Sequence, residues 1–481
     1  MTIVFDELDT TIVIPTTAIE TDLTKGQTGL PSGVRKLLLM GYQLSSGSAT
    51  INKVNAVGGE SHARTLHGEG SMLAIMVEAA LKISPNLRLY TMAITESAGV
   101  AASGTVTIAG TATAAGSIVL HIAGRQLSIG VSVGDTATVV GDNIATAVTN
   151  AVNLPATAAN VTGTVTITAR QKGTEGNSIR YRSESTAAGI TSTDAAAALA
   201  SGTLTGDLTT PLTVIQGARY HFVCSGMNDA TNLAILKTDR EARSAAQEKR
   251  WGNGVAAETT TASAAQTLGS TLDSYRMEVV ALPSADPPSY EVAAAYAALR
   301  AKSENPISPI TLTELKGIPA PYDEAAHMTD AEQTATIENG VTPLAPGEET
   351  GKIEVVRSVH TRVTNPASLD TMLHDISDAM DLDLVTQFKQ RYARAVIKVA
   401  SPANTPNVLT QKRAQALVEE RMRIYEGLDW IQGTEDLISD GRVVAEANAT
   451  SQNRMDTAFP FQPVHVLIVT ALKKTFQTPE L

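Results

Sequence analysis

Among the residues that could do chemistry, Ser71 has the most suggestive setting. It follows two glycines in His67-Gly-Glu-Gly-Ser71-Met72 and stands where an apolar helical pattern opens. A serine nucleophile also needs a base and an orienting acid, and no GxSxG surrounds this one. The same position suits a helix N-cap, whose hydroxyl accepts from the free N–H groups of the first turn. We read it as a cap. His62 and His67, with Glu60 and Glu69 nearby, invite a metal ion, but a spacing of five residues suits neither one helix face nor a strand pair. They are read as a polar loop. Gly347-Glu-Glu-Thr-Gly351-Lys352 resembles a phosphate-binding loop that is one residue short, with Ile353 where a Mg²⁺-binding hydroxyl belongs. It is read as a turn before a strand. His360 is assigned to the solvent face of that strand, and Asn448-Ala-Thr450 matches a glycosylation acceptor in pattern alone. The single cysteine, Cys224, excludes a disulfide framework and any CxxC site. These residues predict no catalysis, no cofactor and no metal.

The composition points the same way. Aromatic residues make up only 4% of 481, whereas ligand pockets are commonly lined by them. The formal net charge of −12 argues against a nucleic-acid binder, which needs a clustered basic surface. No run of about 18 apolar residues suggests a membrane span, and the acidic start MTIVFDELD is unlike a signal peptide. A soluble, intracellularly made protein of two to four domains is expected.

The elements that would position these residues follow from periodicity. Residues 1–28 read as an extended arm with two β-type patches, Ile3-Val4-Phe5 and Ile12-Val13-Ile14, neither with a hairpin partner close by. Val34–Tyr42 predicts a buried strand, 71–83 a helix and Leu87–Ile94 a strand, together an α/β layer. From Glu96 to about Thr210 the chain turns rich in Ala, Thr, Gly and Ser, with Tyr181 its only aromatic residue. Alternation over Thr105–Ile108, Ser117–Ile122, Gln126–Val133, Thr164–Ala169 and Ser178–Arg182, with a helical stripe over Asp135–Val152, predicts a small inserted α+β domain. Its exit, Ser183–Thr209, looks pliable. The α/β pattern then resumes with Pro211–Gln216, Arg219–Ser225, a helix from Asp229, a strand Met277–Leu282 and a helix Ser289–Ser303 with Val292, Tyr296 and Leu299 inward. Lys352–Val363 alternates as a strand. Asn365-Pro366 suits the start of a long amphipathic helix through Leu369, Leu373, Ile376, Met380, Leu384, Phe388 and Tyr392. A second helix runs from Thr410 to Gly427, and Val464–Thr470 predicts a last strand.

Taken together, these stretches resemble the contractile-tail sheath proteins of Mu-like bacteriophages and prophages. The likeness is carried by GLPSGVRKLLLMGYQLSSGSA (29–49), LHGEGSMLAIMVEAALKISPNL (66–87), VTPLAPGEETGKIEVVRSVHTRV (341–363) and FQPVHVLIVTALKKTF (461–476). GTATAAGSIVLHIAGRQ and ITARQKGTEGNSI look like the variable region such proteins carry. The resemblance implies a multidomain α+β fold. The expected parts are an arm (1–28), a discontinuous central α/β domain (29–95 plus 211–350), an inserted β-rich domain (96–210), a C-terminal α+β assembly domain (351–462) and a C-terminal strand (463–481). It further implies stacked hexameric rings around a tail tube, contraction that drives the tube through the host envelope, and strands lent between subunits. Ile12, Val13, Ile14, Val464, Val466 and Ile468 are the residues expected in that exchange. Implied partners are further copies of the chain, the tube protein, and baseplate and tail terminator proteins, without nucleic acid or membrane insertion. The implied location is the virion tail, assembled in the bacterial cytoplasm. The sheath of a tail-like bacteriocin fits the residues equally. A serine hydrolase built on Ser71 and a surface adhesin are the readings from other classes.

Overall fold

The computed structural model describes residues 35–364, 369–399, 407–451 and 453–467. The segment KLLLMG forms β1 (Lys36–Gly41), apolar along its whole length and fully buried from Leu37 to Met40. Such a run suits a strand covered on both faces rather than one. After β2 (Val54–Ala56) and α1 (Glu60–His67) comes α2 (Met72–Ile83), capped as expected by Ser71, whose Oγ accepts from the Ala74 N–H at 3.1 Å. The strand β3 (Arg88–Ala93) then lies parallel to β1.

Here the chain leaves this sheet. The strands β4 (Ala101–Gly110), β5 (Gly116–Ile122) and β6 (Arg125–Val131) are followed by α3 (Ala137–Asn150), then β7 (Ala156–Val161), β8 (Thr164–Lys172), β9 (Tyr181–Ser185) and β10 (Ile190–Asp194). They pair antiparallel as β10-β4-β8-β7 and β6-β5-β9. Aliphatic residues alternate inward along β5 (Ile118, Leu120, Ile122) and β8 (Val165, Ile167, Ala169), and with Val140, Ile144 and Val148 of α3 they build a buried cluster of their own. The exit segment 183–209, expected to be pliable, carries the end of β9 and all of β10. Its Thr/Ser alternation is too polar to announce a strand, but Asp194 fixes it by accepting from the Ser183 N–H at 2.8 Å.

The first sheet resumes with α4 (Thr209–Val214), a short helix where 211–216 carried only an apolar run. Then come β11 (Phe222–Ser225), α5 (Ala230–Ser244), β12 (Asn253–Glu258), α6 (Ala262–Leu272), β13 (Met277–Ala281), α7 (Ser289–Lys302), β14 (Thr313–Glu314), α8 (Asp330–Glu338), β15 (Thr342–Pro346) and β16 (Ile353–Val355). Nine strands line up as β14-β16-β15-β13-β12-β11-β1-β3-β2, and those from β15 through β3 are all parallel. Helices α2 and α7 pack together against one face, while α5 and α6 meet against the other. The expected inward stripe of Val292, Tyr296 and Leu299 understates α7, which is buried on all sides from Ser289 to Ala301. Alanine at six of its fourteen positions lets α2 and the sheet approach closely.

The expected strand Lys352–Val363 ends at Val355. Beyond it the chain is irregular, because Ser358, His360 and Thr361 are all buried and bond into the body: the Thr361 N–H donates to the Met277 carbonyl at 3.0 Å. His360, expected on a solvent face, is completely buried. The long helix α9 spans Thr371–Tyr392; the proposed start at Asn365-Pro366 lies outside the described residues. After it come β17 (Val396–Ile397), β18 (Val408–Leu409), α10 (Gln411–Gly427), β19 (Ile431–Gln432), α11 (Thr434–Ser439), β20 (Val444–Ala447), β21 (Met455–Ala458) and β22 (Gln462–Pro463). Ala414, Leu417, Val418, Met422 and Tyr425 form the buried face of α10, as their spacing predicts.

Candidate assembly interface

Parallel sheets of this order usually bind ligands beyond the carboxyl ends of the strands, where the order reverses, here between β1 and β11. That crevice is filled by the protein itself. A side-chain carbon at either Gly41 or Gly226 would strike the Met72 sulfur, so Met72 occupies the space between the two strand ends. The Tyr42 hydroxyl closes the neighbouring space by accepting from the Gly206 N–H at 2.6 Å. Ser71 is buried and committed to its cap, and the Met72 N–H donates to Gln171 Oε1 at 2.9 Å. His67, expected in a polar loop, ends α1, is fully buried and shares a hydrogen bond with Thr91 Oγ1 at 2.7 Å. His62 accepts from the Gly58 N–H at 3.2 Å. No group of three potential metal ligands exists among the described residues. The Gly347–Lys352 turn closes on itself, the Gly347 N–H donating to the Lys352 carbonyl at 2.8 Å.

Polar chemistry is concentrated where α9 meets the sheet. Glu278 of β13 accepts from Arg300 Nε at 2.9 Å and from the Tyr296 hydroxyl at 2.9 Å. The other side of Arg300 reaches Asp375 of α9 at 2.9 Å, and Arg35 stands 3.4 Å from the same carboxylate. Burial works to raise the Asp375 carboxyl, but Arg300 and Arg35 outweigh it and hold it below the usual range. Burial likewise opposes the Arg300 charge, yet Asp375 and Glu278 keep the guanidinium firmly protonated. Arg276–Asp378 (2.7 Å) and Arg357–Asp370 (2.7 Å) flank this cluster. A buried pair of this sort brings little net stability compared with apolar packing, but breaking it strands a charge. It therefore fixes where α9 sits. Farther along α9, Asp383 accepts from Arg421 Nε at 2.7 Å and from the Tyr425 hydroxyl at 2.6 Å, joining α9 to α10. The apolar stripe through Leu384 and Phe388 gives way here to a buried face made of Asp383 and Gln387. The polar network was missed in the sequence, although a lone Glu within MEVVA and a lone Arg within YAALRAK were its visible signal.

Beyond α9 the strands come only in pairs: β17 with β18, β19 with β22, and β20 with β21. Among the described residues, each pair leaves strand edges open, and Val396, Val399, Val444, Phe461 and Leu467 are exposed around them. Open edges flanked by apolar side chains are places where another strand can add. Of the residues expected in strand exchange, Val464 and Val466 follow β22, half-buried and outside any strand; the Val464 N–H donates to the Trp430 carbonyl at 3.2 Å. The strand expected over Val464–Thr470 is not formed as far as Leu467. Ile12, Val13, Ile14 and Ile468 lie outside the described residues.

No family model matches the chain. Over 318 residues it is 30% identical to the tail sheath protein of the Mu-like prophage FluMu of Haemophilus influenzae, an alignment covering 63% of each chain. The chain thus aligns with less than two thirds of that relative. A sheath tail protein from Desulfitobacterium hafniense superposes with a TM-score of 0.51 at 12% identity, covering 94% of this chain and 96% of the other. This is a tail-sheath fold. The anti-feeding prophage helical sheath in its contracted state superposes with a TM-score of 0.50 at 11% identity, over 96% and 99% of the two chains. The resemblance to Mu-like sheath proteins therefore holds in sequence, and the sheath fold extends over nearly the full length. The matched proteins are structural sheath proteins, not enzymes. No helix among the described residues is long and apolar enough to cross a membrane.

Proposed function

We propose that this chain is the sheath subunit of a contractile phage or prophage tail. It polymerises as stacked hexameric rings around a tail tube, between baseplate and terminator proteins, and contraction drives the tube through the host envelope. The observation that carries this reading is the 30% identity to a Mu-like prophage tail sheath protein, joined to a sheath fold across almost the entire chain. The filled crevice at Met72 supports a structural rather than catalytic role. In this proposal residues 29–95 and 211–350 form the central domain, 96–210 an inserted one and 351–462 the assembly domain. The arms 1–28 and 463–481 are lent to neighbouring copies.

The open pairs beyond α9 support the lending of strands. Each added strand contributes about four to six backbone hydrogen bonds at ~0.5–1.5 kcal/mol net, besides apolar burial. Such a mesh stays connected while rigid bodies rotate about it. Deleting residues 1–20 is expected to abolish tube formation while the subunit keeps its wild-type circular dichroism. Normal tubes from the truncated chain would overturn the exchange.

A further inference from the structure

His360 stands in the irregular chain after β16, completely buried, and neither of its ring nitrogens has a hydrogen-bond partner among the described residues. A buried polar group without a partner is costly, and native proteins keep few of them. His374 of α9 meets this ring edge-on, with centroids 4.6 Å apart, and also lies against the Tyr275 ring at 4.5 Å. Beside them is a cavity of about 270 Å³ whose lining includes Glu241, Ser274, Arg276, Arg362 and His374. His374 therefore has His360 as one neighbour and open space as another.

The charged groups around His360 offer it no free acceptor. From α7 comes Arg300, held by Glu278 of β13 and Asp375 of α9; from the residue before β13 comes Arg276, held by Asp378 of α9. Its own segment carries Arg357, bonded to Asp370, and Arg362, bonded to Asp273. Each of these carboxylates is already taken by an arginine. Glu241 differs: it is exposed, and it accepts from the neutral Ser274 hydroxyl at 2.6 Å. Burial first, then His374, Arg300 and Arg276, keep the His360 ring neutral. A proton placed there would be a buried charge among guanidinium groups, which strongly disfavours the docked arrangement.

We propose that His360 and His374 form an acid-operated latch on α9. With both rings neutral the start of α9 is docked; protonation swings His374 into the cavity toward Glu241 and frees the first turns of the helix. The latch goes beyond the sheath reading and does not depend on it. Because α9 leads into the paired strands, a falling pH loosens their hold on the nine-stranded sheet while the sheet itself stays folded.

The test is amide hydrogen exchange of the full chain at pH 7 and pH 5, expressed as protection relative to the unstructured rate at each pH. An opening that lets one ring titrate at its ordinary pKa of about 6.5 becomes about twenty-five-fold more favourable between those two values. Protection over residues 375–382 is expected to fall by about that factor, while α6 and β12 keep theirs within about threefold. His360→Phe is expected to abolish most of the fall, and Glu241→Gln, at an exposed position, to move it to lower pH. No fall in the native chain, or an equal fall in a folded His360→Phe chain, would overturn the latch. So would a fall shared equally by α6 and β12, which is acid unfolding of the whole body. If His360→Phe does not melt like the native chain, Glu241→Gln decides, and a fall at the native pH in that variant overturns the latch.

Discussion

Arg300 sits between two carboxylates from different parts of the chain, and little solvent reaches any of the three. Replacing it by Met would leave Glu278 and Asp375 facing each other without their shared cation. Arg300→Met is therefore expected to destabilise the protein by about 3–5 kcal/mol, read as a lowered urea midpoint. A shift below about 1 kcal/mol would show that the cluster does not hold α9 in place. The buried histidines set a pH dependence. Burial, with a smaller push from His62, lowers His67 to about 4; burial together with Arg219, Arg35 and Lys36 lowers His221 to about 3. His360 is held well below its ordinary range by burial first, then by His374, Arg300 and Arg276. These rings are neutral when folded but take up protons when unfolded below about pH 6.5. Their contribution is complete above that pH and is lost as the pH falls toward the folded values, at up to about 1.4 kcal/mol per pH unit for each ring. The urea midpoint should drop between pH 7 and pH 5, and His360→Phe should shrink that drop. An unchanged drop would remove His360 from the effect. Ser71 was legible as a cap because its signal is local. His360 was not, because its burial depends on a chain that stops being a strand at Val355.

Among the elements, α10 could be read directly, since it buries one stripe whose spacing is visible in the sequence, and α2 was legible from its cap and apolar run although nine of its twelve residues are buried. The helix α7 carried less information, because a helix covered on every side has no stripe. Its alanines are there for closeness, and Ala297→Leu is expected to cost about 1–3 kcal/mol by overpacking against neighbours that cannot move aside. Thermal unfolding would check this, and a neutral result would mean that α7 is less tightly enclosed than its burial indicates. Of the several strands that the sequence did not announce, three share a reason. β7 (ATAANV), β10 (ITSTD) and β12 (NGVAAE) are built from small or polar residues, and what defines them is the partner strand. The change in composition at Glu96 does coincide with the point where the chain leaves the large sheet. The seven strands and one helix between 101 and 194 are fastened back to it by Arg125–Glu291 at 3.1 Å and by the Arg182 guanidinium 3.7 Å over the Tyr322 ring.

At the scale of the whole molecule, a chain this long has ample room to surround a ligand site. Instead the crevice of its parallel sheet is plugged by Met72, and its ordered polar clusters join helices to strands. What is left open is a set of strand edges beyond α9. That pattern fits a subunit completed by its neighbours; in the proposed exchange the orphan strands of the sequence would find their partners in other copies. The most direct test is negative-stain electron microscopy of the purified, untagged chain at neutral pH, alone and with the tail-tube protein added. The account predicts long tubes with a regular helical repeat and sixfold end views. Small discrete particles in both preparations would contradict it.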